Sequence, residues 1–160
     1  MASFIGTFTN KMDKKGRVSV PARFRAALAA RSSDGAFNGV VVSPNVGVGA
    51  IDACDHQRIE DTVSRLDARG GLTPEQQQAI ELVLSRSEEL PFDREGRIIL
   101  PESLIDLAEI HDQAVFVGIG STFQLWSPKR REAWLESAAP SEHGQIGLRD
   151  LWSFGAGDAV

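Results

Sequence analysis

Asp13-Lys14-Lys15-Gly16-Arg17-Val18-Ser19-Val20-Pro21 sets an acid, a glycine, an arginine and a proline within nine residues. The same four types return at the same offsets eighty positions later, in Asp93-Arg94-Glu95-Gly96-Arg97-Ile98-Ile99-Leu100-Pro101. The chemistry on offer is that of a guanidinium on a tight turn. Asp followed three residues on by Gly reads as a turn, because Asp bonds its own downstream backbone and Gly takes a positive φ without a steric cost. The arginine then stands where the turn feeds a strand. Its fork of five donors either pairs with the Asp four residues earlier or projects outward toward an anion. One copy would be an ordinary hairpin turn with a surface ion pair. Two matched copies indicate an internal duplication.

The elements around each turn repeat as well. Phe4 to Thr9 alternates and reads as a first strand, with Phe4, Gly6 and Phe8 on one side. Asn10 to Gly16 forms the basic turn, and Val18–Val20 a second strand. Pro21 opens a helix to about Ala30 with Phe24 and Leu28 on one face. After a loop over Ser32 to Gly39, Val40–Val42 is a buried strand and Ala50–Ala53 its return. Asp55 caps a helix to about Arg69, with Ile59, Val63 and Leu66 as its apolar face, and Gly70-Gly71 stops it. Thr73, Pro74 and Gln76 make a capping box for a helix to about Ser87, with Ile80, Val83 and Leu84 apolar. The second turn is followed by a short helix over Glu102–Ala108 and by strands at Ala114–Ile119 and Thr122–Trp126, joined at Gly120-Ser121. Ser127 and Pro128 start a helix to about Ala138. Beyond Pro140 the tail mixes Gly, Ser and scattered apolar residues, and its end past Gly155 is expected to fray.

Composition narrows the partners. With 160 residues the chain suits one ordinary domain or two small ones, and two half-length units are small enough to favour intertwining or oligomers. The absence of an eighteen-residue apolar run and of a charged-then-apolar leader leads us to expect a soluble protein with no membrane partner. Cys54 is the only cysteine, which rules out an internal disulfide and fits a reducing compartment. The net charge of −5 is unusual for a protein that binds polyanions. Its distribution is the informative part. Residues 11–25 hold Lys11, Lys14, Lys15, Arg17, Arg23 and Arg25 against Asp13 alone. A basic edge on an acidic body results. The second turn is locally neutral, so the first supplies most of any attraction.

Three functional classes meet these residues. In DNA binding, Lys11, Lys14, Lys15, Arg23 and Arg25 meet phosphates, which position the protein without reading sequence. Arg17, and secondarily Arg97, reach a base edge, with guanine O6 and N7 in the major groove the best match. Asp13 and Asp93 either orient those guanidiniums or hold the turn together with Gly16 and Gly96. An enzyme finds little support. His56, His111 and His143 form no helical pair, Ser19 lacks a nucleophile-elbow context, Gly47-Val48-Gly49 precedes no helix start, and Glu88-Glu89 reads as a solvated face. No metal, cofactor or small-molecule substrate is expected. A module that meets only other proteins draws on the acidic body and on Trp134, Trp152 and Phe154, whose simpler reading is core or subunit packing.

The chain resembles the MraZ family of bacterial transcription regulators. The likeness is carried by Phe4-Ile5-Gly6, by both nine-residue turns, by Phe116-Val117-Gly118 and by Phe123-Gln124-Leu125-Trp126. It covers about residues 4–138. The resemblance implies an α+β fold of two tandem AbrB-like swapped-hairpin modules forming a pseudo-dimer within one chain. The modules would be 5–54 and 87–130, with connecting helices at 55–86 and a C-terminal helix and tail at 131–160. It further implies homo-oligomeric rings that bind double-stranded DNA at short direct repeats, in the promoter of the division and cell-wall gene cluster, in the cytoplasm and nucleoid. Asp13 and Arg17 match the family's first motif, Asp93 and Arg97 its second, and Lys15 the basic residue before the glycine. The chain departs from the family at Val46 to Ala53, which is Gly-rich where an aliphatic strand is usual, and at His56, which stands near an expected Trp.

Overall fold

The computed structural model describes residues 2–33, 37–138 and 146–156. Its organising element is a short ribbon. Strand β2 (Arg17–Ser19) pairs antiparallel with β6 (Arg97–Ile99), Arg17 opposite Ile99, Val18 opposite Ile98 and Ser19 opposite Arg97. Residues eighty apart therefore exchange places across the ribbon, and the Val18–Ile98 pair marks its centre. Backbone bonds extend the exchange outward, from Val20 N–H to Gly96 O at 3.2 Å and from Leu100 N–H to Gly16 O at 2.9 Å.

The large sheet obeys the same exchange. Its strands are β1 (Thr7–Lys11), β3 (Gly39–Asn45), β4 (Ala50–Cys54), β5 (Glu88–Pro91), β7 (Gln113–Gly118) and β8 (Phe123–Trp126), in the spatial order β1-β7-β8-β4-β3-β5. The opening strand of each half lies against the third strand of the other. β1 pairs with β7, Phe8 opposite Phe116, and β5 pairs with β3, Leu90 opposite Val40. Neither half completes a sheet alone, so burial of the core requires both.

Helices cover one face. α1 (Ala22–Arg31) follows Pro21, and its Phe24 packs on Phe4, Phe8, Phe116 and Phe123 with ring centroids 4.9–6.5 Å apart. A helix from the first half thus seals strands of the second. α4 (Glu102–Ala108) reciprocates by packing against β3 and β4. Val18, Val20, Ile98 and Leu100, from the inner side of the ribbon, are buried in the same core. α2 (His56–Arg69) is capped by Asp55, and α3 (Pro74–Arg86) by the capping box of Thr73 and Gln76.

One expected strand boundary shifts, the expected return strand at Ala50–Ala53 is present, and the helical apolar faces are only partly covered. The first strand starts at Thr7 rather than Phe4, because Gly6 takes φ +99°, leaving Phe4 in an isolated bridge to Gly120. The Gly-rich stretch after Val46 still forms a regular hairpin: Gly49 takes φ +69° and closes the turn onto Asn45 O at 2.9 Å, and Ala50–Cys54 follows as a strand. The apolar stripes of α2 and α3 contain no fully buried residue, and Leu82, Val83 and Leu84 are exposed. Ile59, Val63, Leu66 and Ile80 are half-buried, and both helices pack against β3, so the stripes are covered only in part.

The chain divides by packing into a body, Met1–Pro128, and a second unit, Lys129–Val160. The second unit includes most of α5 (Pro128–Ala138), where the Arg131 guanidinium lies 4.5 Å over the Trp134 ring, and all of α6 (Leu148–Gly155). Trp134, Trp152 and Phe154, expected in core or subunit packing, are all substantially exposed in the single chain. The expected fraying past Gly155 falls mostly on residues outside those described, as does His143.

Candidate nucleic-acid interface

The two turns are built by one recipe. In the first, Asp13 Oδ1 accepts the backbone N–H groups of Lys15 at 3.0 Å and Arg17 at 2.9 Å, and Asp13 Oδ2 accepts Arg17 Nε–H at 2.6 Å. In the second, Asp93 Oδ1 accepts Glu95 N–H at 2.8 Å and Arg97 N–H at 2.9 Å, and Asp93 Oδ2 accepts Arg97 Nε–H at 2.8 Å. Backbone bonds from Gly16 N–H to Asp13 O and from Gly96 N–H to Asp93 O close each loop. The sequence left open whether these acids hold the turn or orient the arginine. One carboxylate does both, an oxygen for each task.

Gly16 and Gly96 take φ +83° and +75°, as the turn requires. Each is also closely overlaid by the other half. A Cβ on Gly16 would meet Leu100 O at 2.9 Å, and one on Gly96 would meet the Arg25 guanidinium at 2.6 Å. Arg25, expected to meet phosphate, is half-buried and has partners within the chain. Its Nη1 donates to Val20 O at 2.6 Å while the guanidinium lies on the Gly96 turn. The missed signal is its counterpart eighty positions on, Ile105, whose side chain rests on Gly16 in the same way.

The electrostatics follow from these bonds. The Arg17 backbone N–H foremost, and then its guanidinium, hold the Asp13 carboxyl below the usual carboxylate range. Asp93 is lowered in the same way by Arg97, and Asp93 in turn raises Arg97. Both arginines are partly exposed, at 36% and 30% of the side chain. With Nε held by its acid, each guanidinium is fixed in direction and turns its Nη end outward. At Arg97 that end also meets Glu95, 3.5 Å away, whereas Lys15 occupies the matching position beside Arg17.

Strand alternation sets the outer face. Val18, Val20, Ile98 and Leu100 point into the core, so Arg17, Ser19, Arg97 and Ile99 share the opposite side. Lys11, Lys14, Lys15 and Arg23 are all exposed, on β1, on the first turn and at the start of α1. A groove lined by Lys14, Lys15, Glu102, Asp106 and His111 borders the first turn. His56 lies elsewhere, its Nε2 3.0 Å from Glu60 and its Nδ1 3.4 Å from Glu89. Among the described residues no helix is long and apolar enough to cross a membrane.

Comparison with known proteins agrees with this arrangement. A family model described as "MraZ protein, putative antitoxin-like" matches residues 3–40 and 83–145, both turns included. A protein of Rhodospirillum rubrum named transcriptional regulator MraZ is 43% identical over 136 residues, covering 83% of this chain and 84% of its own. Proteins of the same name from Rickettsia akari and Parvibaculum lavamentivorans are 37% and 38% identical over 145 and 152 residues, covering 91% and 94% of this chain and 95% and 90% of their own. On both measures the chain belongs to the MraZ family.

Proposed function

We propose that this chain is a transcriptional regulator that binds double-stranded DNA sequence-specifically through the β2–β6 ribbon. The observation carrying the reading is the outer face of that ribbon. There Arg17 and Arg97 are each braced by an Asp, and exposed Lys14 and Lys15 stand on the first turn beside Arg17. A two-stranded ribbon fits the major groove, and an arginine braced through Nε leaves two Nη donors for guanine O6 and N7. Lys11, Lys14, Lys15 and Arg23 take phosphates. Gly16 and Gly96, with Asp13 and Asp93, keep the turns in shape.

The finer assignments follow the family. The two halves, 5–54 and 87–130, act as AbrB-like swapped-hairpin modules. Copies assemble into a ring that meets short direct repeats in the promoter of the division and cell-wall gene cluster, at the nucleoid. The exposed Leu82, Val83 and Leu84 on α3 support assembly, since such surface favours a partner copy. A single basic edge binds weakly, and a ring on spaced repeats gains roughly 10²–10⁴-fold through effective concentration. In this reading the protein performs no catalysis and needs no cofactor.

A mobility-shift titration at several salt concentrations tests the reading. Arg17→Ala is expected to abolish specific binding with the fold intact. Lys14→Ala is expected to weaken binding evenly across sequences and to flatten the salt slope by about one unit. Unchanged promoter affinity in Arg17→Ala would refute it.

A further inference from the structure

The outer face of the ribbon holds three side chains that form hydrogen bonds and one that cannot. Ile99 is 61% exposed on that face, at the end of β6 and directly across from Arg17. A lone exposed aliphatic side chain is ordinary on a protein surface. The position of this one is what matters. Its counterpart eighty positions earlier is Ser19, so the duplicated scaffold does not demand an apolar residue here. The inward neighbours Ile98 and Leu100 are 1% and 2% exposed, so the core is already filled without it.

We infer that Ile99 is a specificity residue that packs against the C5-methyl group of a thymine in the major groove. The inference rests on the DNA-binding reading above and deepens it. The thymine methyl is the one apolar feature that a base pair presents in that groove, and an aliphatic side chain among hydrogen-bonding neighbours is its chemical match. Cross-strand partners on an antiparallel ribbon lie about 4.5–5.5 Å apart at Cα. Positions two apart along a strand are separated by about 6.6 Å, close to two base-pair rises of about 3.4 Å. The thymine therefore lies about one to two base pairs from the guanine taken by Arg17, and Arg97 reads about two base pairs from the thymine. The ribbon's two strands thus read different bases: Ser19 offers a hydroxyl where Ile99 offers a hydrocarbon.

Replacing thymine by deoxyuridine removes only the methyl, which makes the test specific. A duplex selected from random sequence, whose binding is lost in Arg17→Ala, is prepared with each thymine replaced in turn. Wild-type protein is expected to lose ~3–5-fold in affinity at one thymine, the scale of burying one methyl group. Ile99→Ala is expected to bind the thymine and deoxyuridine forms equally, at the wild-type affinity for the deoxyuridine form. Ile99→Ser, the residue that stands at the counterpart position Ser19, serves as a second variant and should show the same loss of discrimination. Uniform affinity of the wild type across all the replacements overturns the inference, as does an unchanged methyl preference in both variants. So does a fall in assembly mass on Ile99→Ala with the methyl preference intact, since Ile99 would then contact another subunit. If the wild type selects no duplex at all, the DNA-binding reading itself fails, which is a separate result.

Discussion

Asp13 and Asp93 each spend both carboxylate oxygens on their own turn. Replacing Asp13 by Asn keeps an oxygen for the backbone but sets an amide against the Arg17 Nε–H. The expected result is a folded protein with a loosened guanidinium, which loses specific binding more than non-specific binding in a competition titration. Acid should have a related effect. Both carboxyls are held below their ordinary value of 3.8 in the folded state, so on acidification the unfolded chain takes up these protons first. Their contribution to stability is full above about pH 5 and is lost as pH falls through the lowered folded values. Denaturant midpoints of wild type and Asp13→Asn should therefore differ by a constant amount near neutrality and converge in acid.

At the scale of elements, the turns and the joints between helices carry the strain and the buried charge. Gly16→Ala must hold a positive φ and press a Cβ toward a backbone oxygen, for which about 1–3 kcal/mol of destabilisation is expected. Gly96→Ala meets the end of a long side chain instead and should cost less, as parallel thermal melts would show. Arg31, at the end of α1, donates to Ala2 O at 2.8 Å and to Asp55 Oδ1 at 3.3 Å, and lies over the Phe4 ring. Both partners of the ion pair are more than nine-tenths buried, and Asp55 also caps α2. Asp55→Ala should therefore cost about 3–5 kcal/mol, well beyond the ~1 kcal/mol of a lost cap, because Arg31 is left buried and unpaired. The sequence disclosed the cap, since Asp before a helical period is a local signal. It did not disclose the partner twenty-four residues upstream, which only the packing of α1 provides. The same distinction runs through the fold. Turns, and the helix starts at Pro21, Thr73 and Pro101, were legible because neighbours in the chain decide them. The grip of Arg25 on Gly96 and the exposure of Leu82, Val83 and Leu84 on α3 were not, because packing between distant parts of the chain decides those.

At the scale of the molecule, a symmetric frame carries unequal charge. The acidic whole, net −5, concentrates six cations in residues 11–25, and its first turn carries Lys14 and Lys15 where the second carries the locally neutral Arg94 and Glu95. Glu95→Lys gives the second turn the residue that the first already has and frees the Nη end of Arg97. Affinity for the selected duplex should rise, and the dependence of log K on log salt should steepen by about one unit. An unchanged slope would place the second turn away from the phosphates.

The Val18–Ile98 centre has a consequence for the kind of site such a protein can choose. A true homodimer built on this ribbon would present identical heads, and any substitution would appear twice, which suits a palindrome. Here the two strands belong to one polypeptide, so Lys15 and Glu95, or Ser19 and Ile99, were free to diverge singly. The ribbon thereby acquires polarity: turned end for end on the duplex, it would offer its isoleucine where its serine had been. A reader with a front and a back is matched by repeats that all run in the same direction.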